Sequence, residues 1–163
     1  MAKRVVLWLG LLIAVATFAV ANGWSEYQIA RSARTYTVVN GVERDLTTNE
    51  LVASFLIGDS IRAVPYGVVA VALLYWPLRR VARGLRPLPG SAAVPVGVVI
   101  GAAVGGFLSF VVWVLLGGWG PPLLLPSVAS GAVLTAALVA AHRGPAEAEP
   151  SAAADGGRDP GSS

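Results

Sequence analysis

AAVPVGVVIGAAVGGFLSFVVWVLLGG, residues 92 to 118, is a run of 27 positions without a charged side chain. A helix needs about 20 predominantly apolar residues to cross roughly 30 Å of hydrocarbon, so this run is long enough for one crossing. Helices in soluble cores rarely carry so long an uncharged sequence. The stretch therefore predicts a transmembrane helix.

Three more apolar stretches, at residues 5–22, 51–78 and 121–142, accompany the first. The chain of 163 residues is 55% hydrophobic and 13% charged, which is too little charge for an ordinary soluble domain. We therefore predict an all-α polytopic membrane protein with one four-helix transmembrane domain over residues 1–143. The predicted spans are about 5–22, 62–79, 92–118 and 121–142.

Basic residues are distributed unevenly between the two sides of these spans. One side carries Lys3, Arg4, Arg79, Arg80, Arg83, Arg86, Arg143 and Arg158. The loop after the first span carries three arginines, which its four acidic residues outnumber. Because cytoplasmic loops are enriched in Lys and Arg, we predict a plasma-membrane protein with both termini in the cytoplasm. The Ala-, Pro- and Gly-rich residues 144–163 are predicted to form a disordered cytoplasmic tail.

The first stretch admits a second interpretation, as a signal peptide that is removed. Met1 to Arg4 is basic, Val5 to Phe18 is apolar, and Ala19-Val20-Ala21 has the small residues of a cleavage site. Retention is favoured because the apolar run is long for a signal peptide. Under either interpretation the following loop faces outward.

The outer loop, residues 23–61, contains a hairpin signal at residues 35–46. Asn40-Gly41 joins two β-favouring runs, and this dipeptide suits the positive φ angles of a type I′ turn. Closure by two residues predicts the pairs Val39–Val42, Thr37–Arg44 and Thr35–Leu46. An isolated two-stranded hairpin is marginal in water, so it needs a support. We expect packing on the chain's own helices, with the membrane surface or another protein as alternatives.

A helix start follows the hairpin directly. Thr47 with Glu50 three residues later forms a capping-box pattern, which predicts a helix beginning near residue 48. A helix from there to Leu78 is longer than the hydrocarbon layer. The excess has to tilt, protrude or bend, and Gly58 with Pro65 allows a bend, so we predict that residues 48–60 form an outer interfacial or protruding segment.

Small residues recur every four positions along the third span, at Ala93, Gly97, Gly101, Gly105 and Ser109. This spacing lines one helix face and lets a neighbouring backbone approach closely. Packing within the chain, against the first or the fourth span, is favoured over a homo-oligomer interface, and the short connection at residues 117–122 makes the third and fourth spans an antiparallel pair. Two faces of the fourth span are candidates: Ser127, Gly131 and Thr135, or Ala132, Ala136 and Ala140.

Asp59 and Arg62 are the only charged pair inside an apolar stretch, and they are the candidate functional polar pair. They lie either at the outer headgroup level, which we favour, or deeper, where a proton or ion role follows. His142 has no second His or Cys as a metal partner, so a helix C-terminal cation is its simpler role. The cluster Arg79, Arg80, Arg83 and Arg86 marks topology and can also contact anionic lipid headgroups.

No catalytic, phosphate-binding or metal-binding motif occurs, and the chain has no cysteine. We therefore expect no enzyme, no cofactor and no nucleic acid partner. The leading hypothesis is a small accessory, assembly or regulatory subunit that docks a larger membrane partner. The alternative is a small oligomeric transporter or pore using Asp59, Arg62 and Pro65. A membrane enzyme using carboxylates of the outer loop ranks third.

Overall fold

The computed structural model describes residues 2–33, 36–39, 42–115 and 123–143. It is mostly helical, with four helices that are long and apolar enough to cross a membrane and one two-stranded sheet. The elements follow in the order α1 (Ala2–Ser32), β1 (Tyr36–Val39), β2 (Val42–Asp45), α2 (Thr48–Leu51), a π-helical segment (Val52–Gly58), α3 (Asp59–Gly84), α4 (Gly90–Leu115) and α5 (Leu124–Arg143).

The central helix of the bundle is α5. Half of its span is buried, against at most 28% of any other candidate span. It runs antiparallel to α4, because Gly101 lies opposite Gly131 while Gly105 lies opposite Ser127. Gly10 of α1 faces Ala137 in the same way. Helices α1 and α4 thus pack directly on α5, and α3 shares the buried core with it.

Large aliphatic side chains fill the centre of this bundle. The fully buried ones include Leu74 and Leu78 of α3 and Leu134 and Leu138 of α5. Large apolar side chains also cover the outside, among them Trp8, Val99 and Phe107. An exterior this apolar is typical of a surface that contacts lipid, since soluble monomers expose only limited apolar patches.

The predicted hairpin register is confirmed. β1 and β2 are antiparallel, with Thr37 opposite Arg44 and Val39 opposite Val42. Thr35, Asn40 and Gly41 lie outside the described residues, and with them the predicted turn and the predicted Thr35–Leu46 pair. The capping box is also confirmed, since the Thr47 backbone N–H donates to the Glu50 carboxylate at 2.8 Å and the Glu50 backbone N–H donates to the Thr47 hydroxyl.

Helix lengths differ from the prediction at the end of the bundle that carries the hairpin. The first helix was expected to end near residue 22, but α1 continues to Ser32. Residues 48–84 are continuously helical, which agrees with the predicted helix start near residue 48, so the departure from the expected loop lies at residues 23–32. Two helical arms, residues 23–32 and 48–58, therefore extend the bundle, and the first of them buries Gly23, Tyr27 and Ala30.

A departure from α-helical hydrogen bonding covers Val52–Gly58 and so ends at one of the two residues predicted to bend the helix. The other, Pro65, lies inside α3. A π-helix shifts hydrogen bonds from i→i+4 to i→i+5 and occurs mostly as short insertions. The insertion falls where the two arms make their closest contact, which is described below.

The remaining predicted boundaries are close to the observed ones. Helix α4 covers residues 90–115, whereas 92–118 was expected. Helix α5 begins at Leu124, whereas residue 121 was expected. The connection at residues 116–122 and the predicted disordered tail at 144–163 lie outside the described residues.

Candidate functional site

A cavity of about 340 Å³ lies between α1 and α3, beside the beginning of α5. Its polar lining comes from α1 and α3. On each helix the polar lining residues are three or four positions apart, so they lie on one face of that helix. The lining residues are Phe18, Asn22, Glu26, Asp59, Arg62, Ala63, Tyr66 and Leu123. The cavity therefore joins the predicted pair Asp59 and Arg62 to polar groups of the first helix.

The apolar end of the cavity is closed by packing. Phe18 is buried and contacts α3 at Gly67, where a Cβ atom would lie 3.2 Å from its ring and 3.3 Å from the Val15 carbonyl oxygen. Beyond this layer the aliphatic core of α3 and α5 fills the bundle. The polar cavity is thus a recess in one end of the bundle and does not continue through it.

Gly23 brings the two arms together beside the cavity. A Cβ atom at this position would lie 2.5 Å from the Leu56 carbonyl oxygen and would overlap the Ser60 hydroxyl. Ser60 Oγ donates a hydrogen bond to that same carbonyl at 2.5 Å. The side chain therefore satisfies a backbone acceptor at the end of the π-helical segment, where the change of hydrogen-bond register disturbs backbone pairing.

Asp59 and Arg62 form a single ion-pair contact. Arg62 Nη1 donates to Asp59 Oδ1 at 3.3 Å, and the exposed fractions of the two side chains are 81% for Arg62 and 22% for Asp59. An exposed pair with one long contact contributes little to stability. Arg62 is consequently available to other anionic groups at little cost.

The other polar side chains of the cavity have no partner. Among the described residues, the side chains of Asn22, Glu26 and Tyr66 make no hydrogen bond and no ion pair. Within the same part of the chain, no group of three or more His, Asp or Glu residues is placed to hold a metal ion. The cavity presents free acceptors from two carboxylates together with one guanidinium.

The predicted small-residue face lies buried on α4. Ala93, Gly97, Gly101, Gly105 and Ser109 are its buried residues. They face Ser127, Gly131 and Thr135 of α5, and not the alternative alanine series, which is less buried. Thr135 Oγ1 donates to the Gly131 carbonyl oxygen at 2.8 Å, whereas Ser109 Oγ is buried without a partner in the described chain.

The predicted arginine cluster is exposed at the end of α3. The Arg79 guanidinium lies 5.8 Å from the centre of the Tyr75 ring, and that of Arg80 lies 5.6 Å from the Trp76 ring. These contacts are cation–π interactions one helical turn apart. The cluster therefore combines positive charge with aromatic rings, and both kinds of residue are enriched near membrane boundaries.

The hairpin stands apart from the helical bundle. One of its faces carries Arg44, which forms an ion pair with Glu50 of α2, and this carboxylate raises the pKa of Arg44 by hydrogen bonding and Coulomb attraction. The opposite face carries Tyr36 and Val38, which are 59% and 61% exposed. Across the strands these residues pair with Asp45 and Glu43. The expected packing of the hairpin on the chain's own helices is therefore wrong for the face of Tyr36 and Val38. The ion pair of Arg44 with Glu50 directs the opposite face toward α2.

Asn22 and Tyr66 were missed as cavity residues by sequence reasoning, and Glu26 was taken for a loop residue. A signal was available, because Gly23, Tyr27 and Ala30 continue a helical spacing of four and three residues, and all three are buried. Extending α1 on that basis places Asn22 and Glu26 on one face.

No protein-family model, curated protein or solved structure matches this chain.

Proposed function

We propose that the protein is a plasma-membrane accessory, assembly or regulatory subunit without enzymatic activity, which docks a larger membrane partner through its hairpin. Both termini are cytoplasmic in this proposal, and the hairpin and the polar cavity face outward. The observation that carries the proposal is the exposed hairpin face of Tyr36, Val38, Glu43 and Asp45.

The proposed orientation depends on the excess of arginine on one side, and the depth in the bilayer is supported by the spacing of charged and aromatic residues along two helices. Asp59 and Arg79 are 20 residues apart in α3, which corresponds to about 30 Å of helix. Arg4 and Trp24 are separated by the same distance in α1. If the arginines lie at the inner boundary, then Asp59 and Trp24 lie at the outer one. The two helical arms and the hairpin then project beyond the outer surface.

Docking is supported by the energetics of the hairpin. A two-stranded hairpin is marginal alone, and Arg44–Glu50 is an exposed ion pair that adds little stability. The outward face nevertheless presents two large apolar side chains beside two carboxylates. A complementary partner surface has an apolar pocket flanked by basic residues, and binding it would stabilise the hairpin.

Co-purification tests this proposal. The double variant Tyr36→Ser/Val38→Ser removes the apolar part of the face, and Gln28→Ala alters an exposed outer residue of α1 as the control. After mild-detergent purification at native expression level, we expect the double variant to lose a protein that the wild type and the control retain. Retention of every co-purifying protein by the double variant would contradict the proposal.

A small oligomeric transporter or pore is the second candidate, and the polar cavity is the observation that favours it. The cavity joins Asp59 and Arg62 to Asn22 and Glu26, as an outer vestibule would require. The packed core argues against a path through one chain, so the route would have to lie between copies. Unchanged ion or solute flux in proteoliposomes after Asp59→Asn would exclude this candidate.

A further inference from the structure

We infer that the cavity between α1 and α3 binds a zwitterion in which a primary ammonium is joined to a phosphate, the chemistry of an ethanolamine phosphate headgroup. Arg62 would contact the phosphate, and Glu26 and Asp59 would accept hydrogen bonds from the ammonium. This inference is independent of hairpin docking but uses the proposed depth of the cavity in the membrane.

The charges of the cavity favour a zwitterion over a simple ion. Glu26 and Asp59 are acidic and Arg62 is basic, so the lining carries charges of both signs with one negative charge in excess. A simple anion would meet two carboxylates, and a simple cation would meet the guanidinium. A ligand with both charges places each beside its opposite.

The free hydrogen-bonding groups match the two ends of such a ligand. An ammonium has three donors, and the cavity offers unpartnered acceptors on Glu26 and Asn22 beside the partly exposed carboxylate of Asp59. Arg62 is held by one contact of 3.3 Å, so its remaining N–H groups can bind phosphate oxygens in the bidentate geometry that guanidinium favours. A quaternary ammonium has no N–H donor and would lose the first set of contacts.

The position and size of the cavity suit a lipid headgroup. Asp59 lies about 30 Å along α3 from Arg79, so the cavity lies at the boundary of the hydrocarbon. Phe18 and Ala63 provide an apolar base, and Tyr66 is exposed at the rim. The volume of about 340 Å³ is sufficient for a headgroup with its water.

Native mass spectrometry of the detergent-purified protein tests the inference, with dihexanoyl phosphatidylethanolamine as the probe. Matched arms use the phosphatidylcholine and phosphatidylglycerol analogues, free phosphoethanolamine and Mg²⁺. The variants are Arg62→Gln and Glu26→Gln, with Glu43→Gln on the hairpin as the control. We expect each cavity variant to bind the ethanolamine lipid about tenfold more weakly than the wild type, since each cavity variant loses one charge-assisted contact. The control variant should bind the lipid with wild-type affinity.

The lipid and the free headgroup distinguish the source of the ligand. Tighter binding of the lipid assigns the bilayer as the source, and equal binding of free phosphoethanolamine assigns a solute with the same chemistry. The inference would be overturned if the choline lipid bound as tightly as the ethanolamine lipid, or if the protein bound Mg²⁺ but neither the ethanolamine lipid nor free phosphoethanolamine. Wild-type affinity for the ethanolamine lipid in both cavity variants would also overturn it. Unaltered thermal unfolding of the variants excludes misfolding as the cause, and Arg62 and Glu26 are exposed enough to be replaced without loss of the core.

Discussion

Replacing Gly105 with alanine should destabilise the protein, whereas the same change at Gly106 should not. A Cβ atom at Gly105 would lie 2.8 Å from the Ser127 carbonyl carbon and closer still to its oxygen, so it would meet backbone. At Gly106 the nearest atoms belong to side chains, at 3.2 Å for Val128 Cγ2 and 3.6 Å for Leu124 Cδ1. Side-chain ends can rotate away, but a helix backbone has to shift as a unit.

The expected magnitude follows from that shift. To lengthen the distance between the added Cβ atom and the Ser127 carbonyl carbon from 2.8 Å to the 3.4 Å of an ordinary contact, α4 has to move away from α5. Overpacking of this kind costs about 1–3 kcal/mol. Alanine in place of glycine also favours a helix by up to about 1 kcal/mol, equally at both sites. Because this gain is the same at both sites, it cancels when the free energies of unfolding of the two variants are compared. We expect Gly105→Ala to have a free energy of unfolding about 2 kcal/mol below that of Gly106→Ala.

Reversible unfolding by SDS titration in mixed micelles, followed by circular dichroism, provides the assay. Oligomeric mass from light scattering is measured on the same samples. Equal free energies of unfolding for the two variants would refute the close packing of α4 on α5. A change in oligomeric mass at Gly105 without a change in stability would instead assign the small-residue face to an interface between copies.

Three further outcomes are expected for the hairpin and the two helical arms. Gly23→Val should lower the unfolding midpoint in the same titration, because its side chain would collide with the Leu56 carbonyl; an unchanged midpoint would contradict the contact between the arms. Arg44→Gln should leave global stability within about 1 kcal/mol of wild type but speed amide exchange in β1, since it removes the ion pair with Glu50. Thr47→Ala should destabilise the start of α2 by about 1 kcal/mol, measured as local amide exchange, and unchanged exchange would argue against the capping box.

Local chemistry made the hairpin register and the capping box predictable. Strand alternation fixes which residues are opposite once Asn40-Gly41 sets the turn, and Thr47 with Glu50 needs no distant contact. The small-residue spacing likewise predicted which face of α4 is buried. These features depend on residues at most a few positions apart.

The cavity was only half predictable because it depends on contact between distant segments. Asp59 and Arg62 are visible as charges in an apolar stretch, but Asn22 joins them only when α1 packs antiparallel to α3. The π-helical segment is a shift in backbone hydrogen bonding, and side-chain periodicity does not encode it. Gly23 shares a helical spacing with Tyr27 and Ala30, but the close approach of Leu56 to Gly23 depends on tertiary contact.

Labelling of single cysteines tests the central claim, that the hairpin and the polar cavity face outward at one end of a four-span bundle. The chain has no cysteine, so Val38→Cys or Ser91→Cys would each report alone. In intact cells, a membrane-impermeant maleimide should label the cysteine at position 38 and should reach the one at position 91 only after permeabilisation. Labelling of position 91 in intact cells with protection of position 38 would contradict the account.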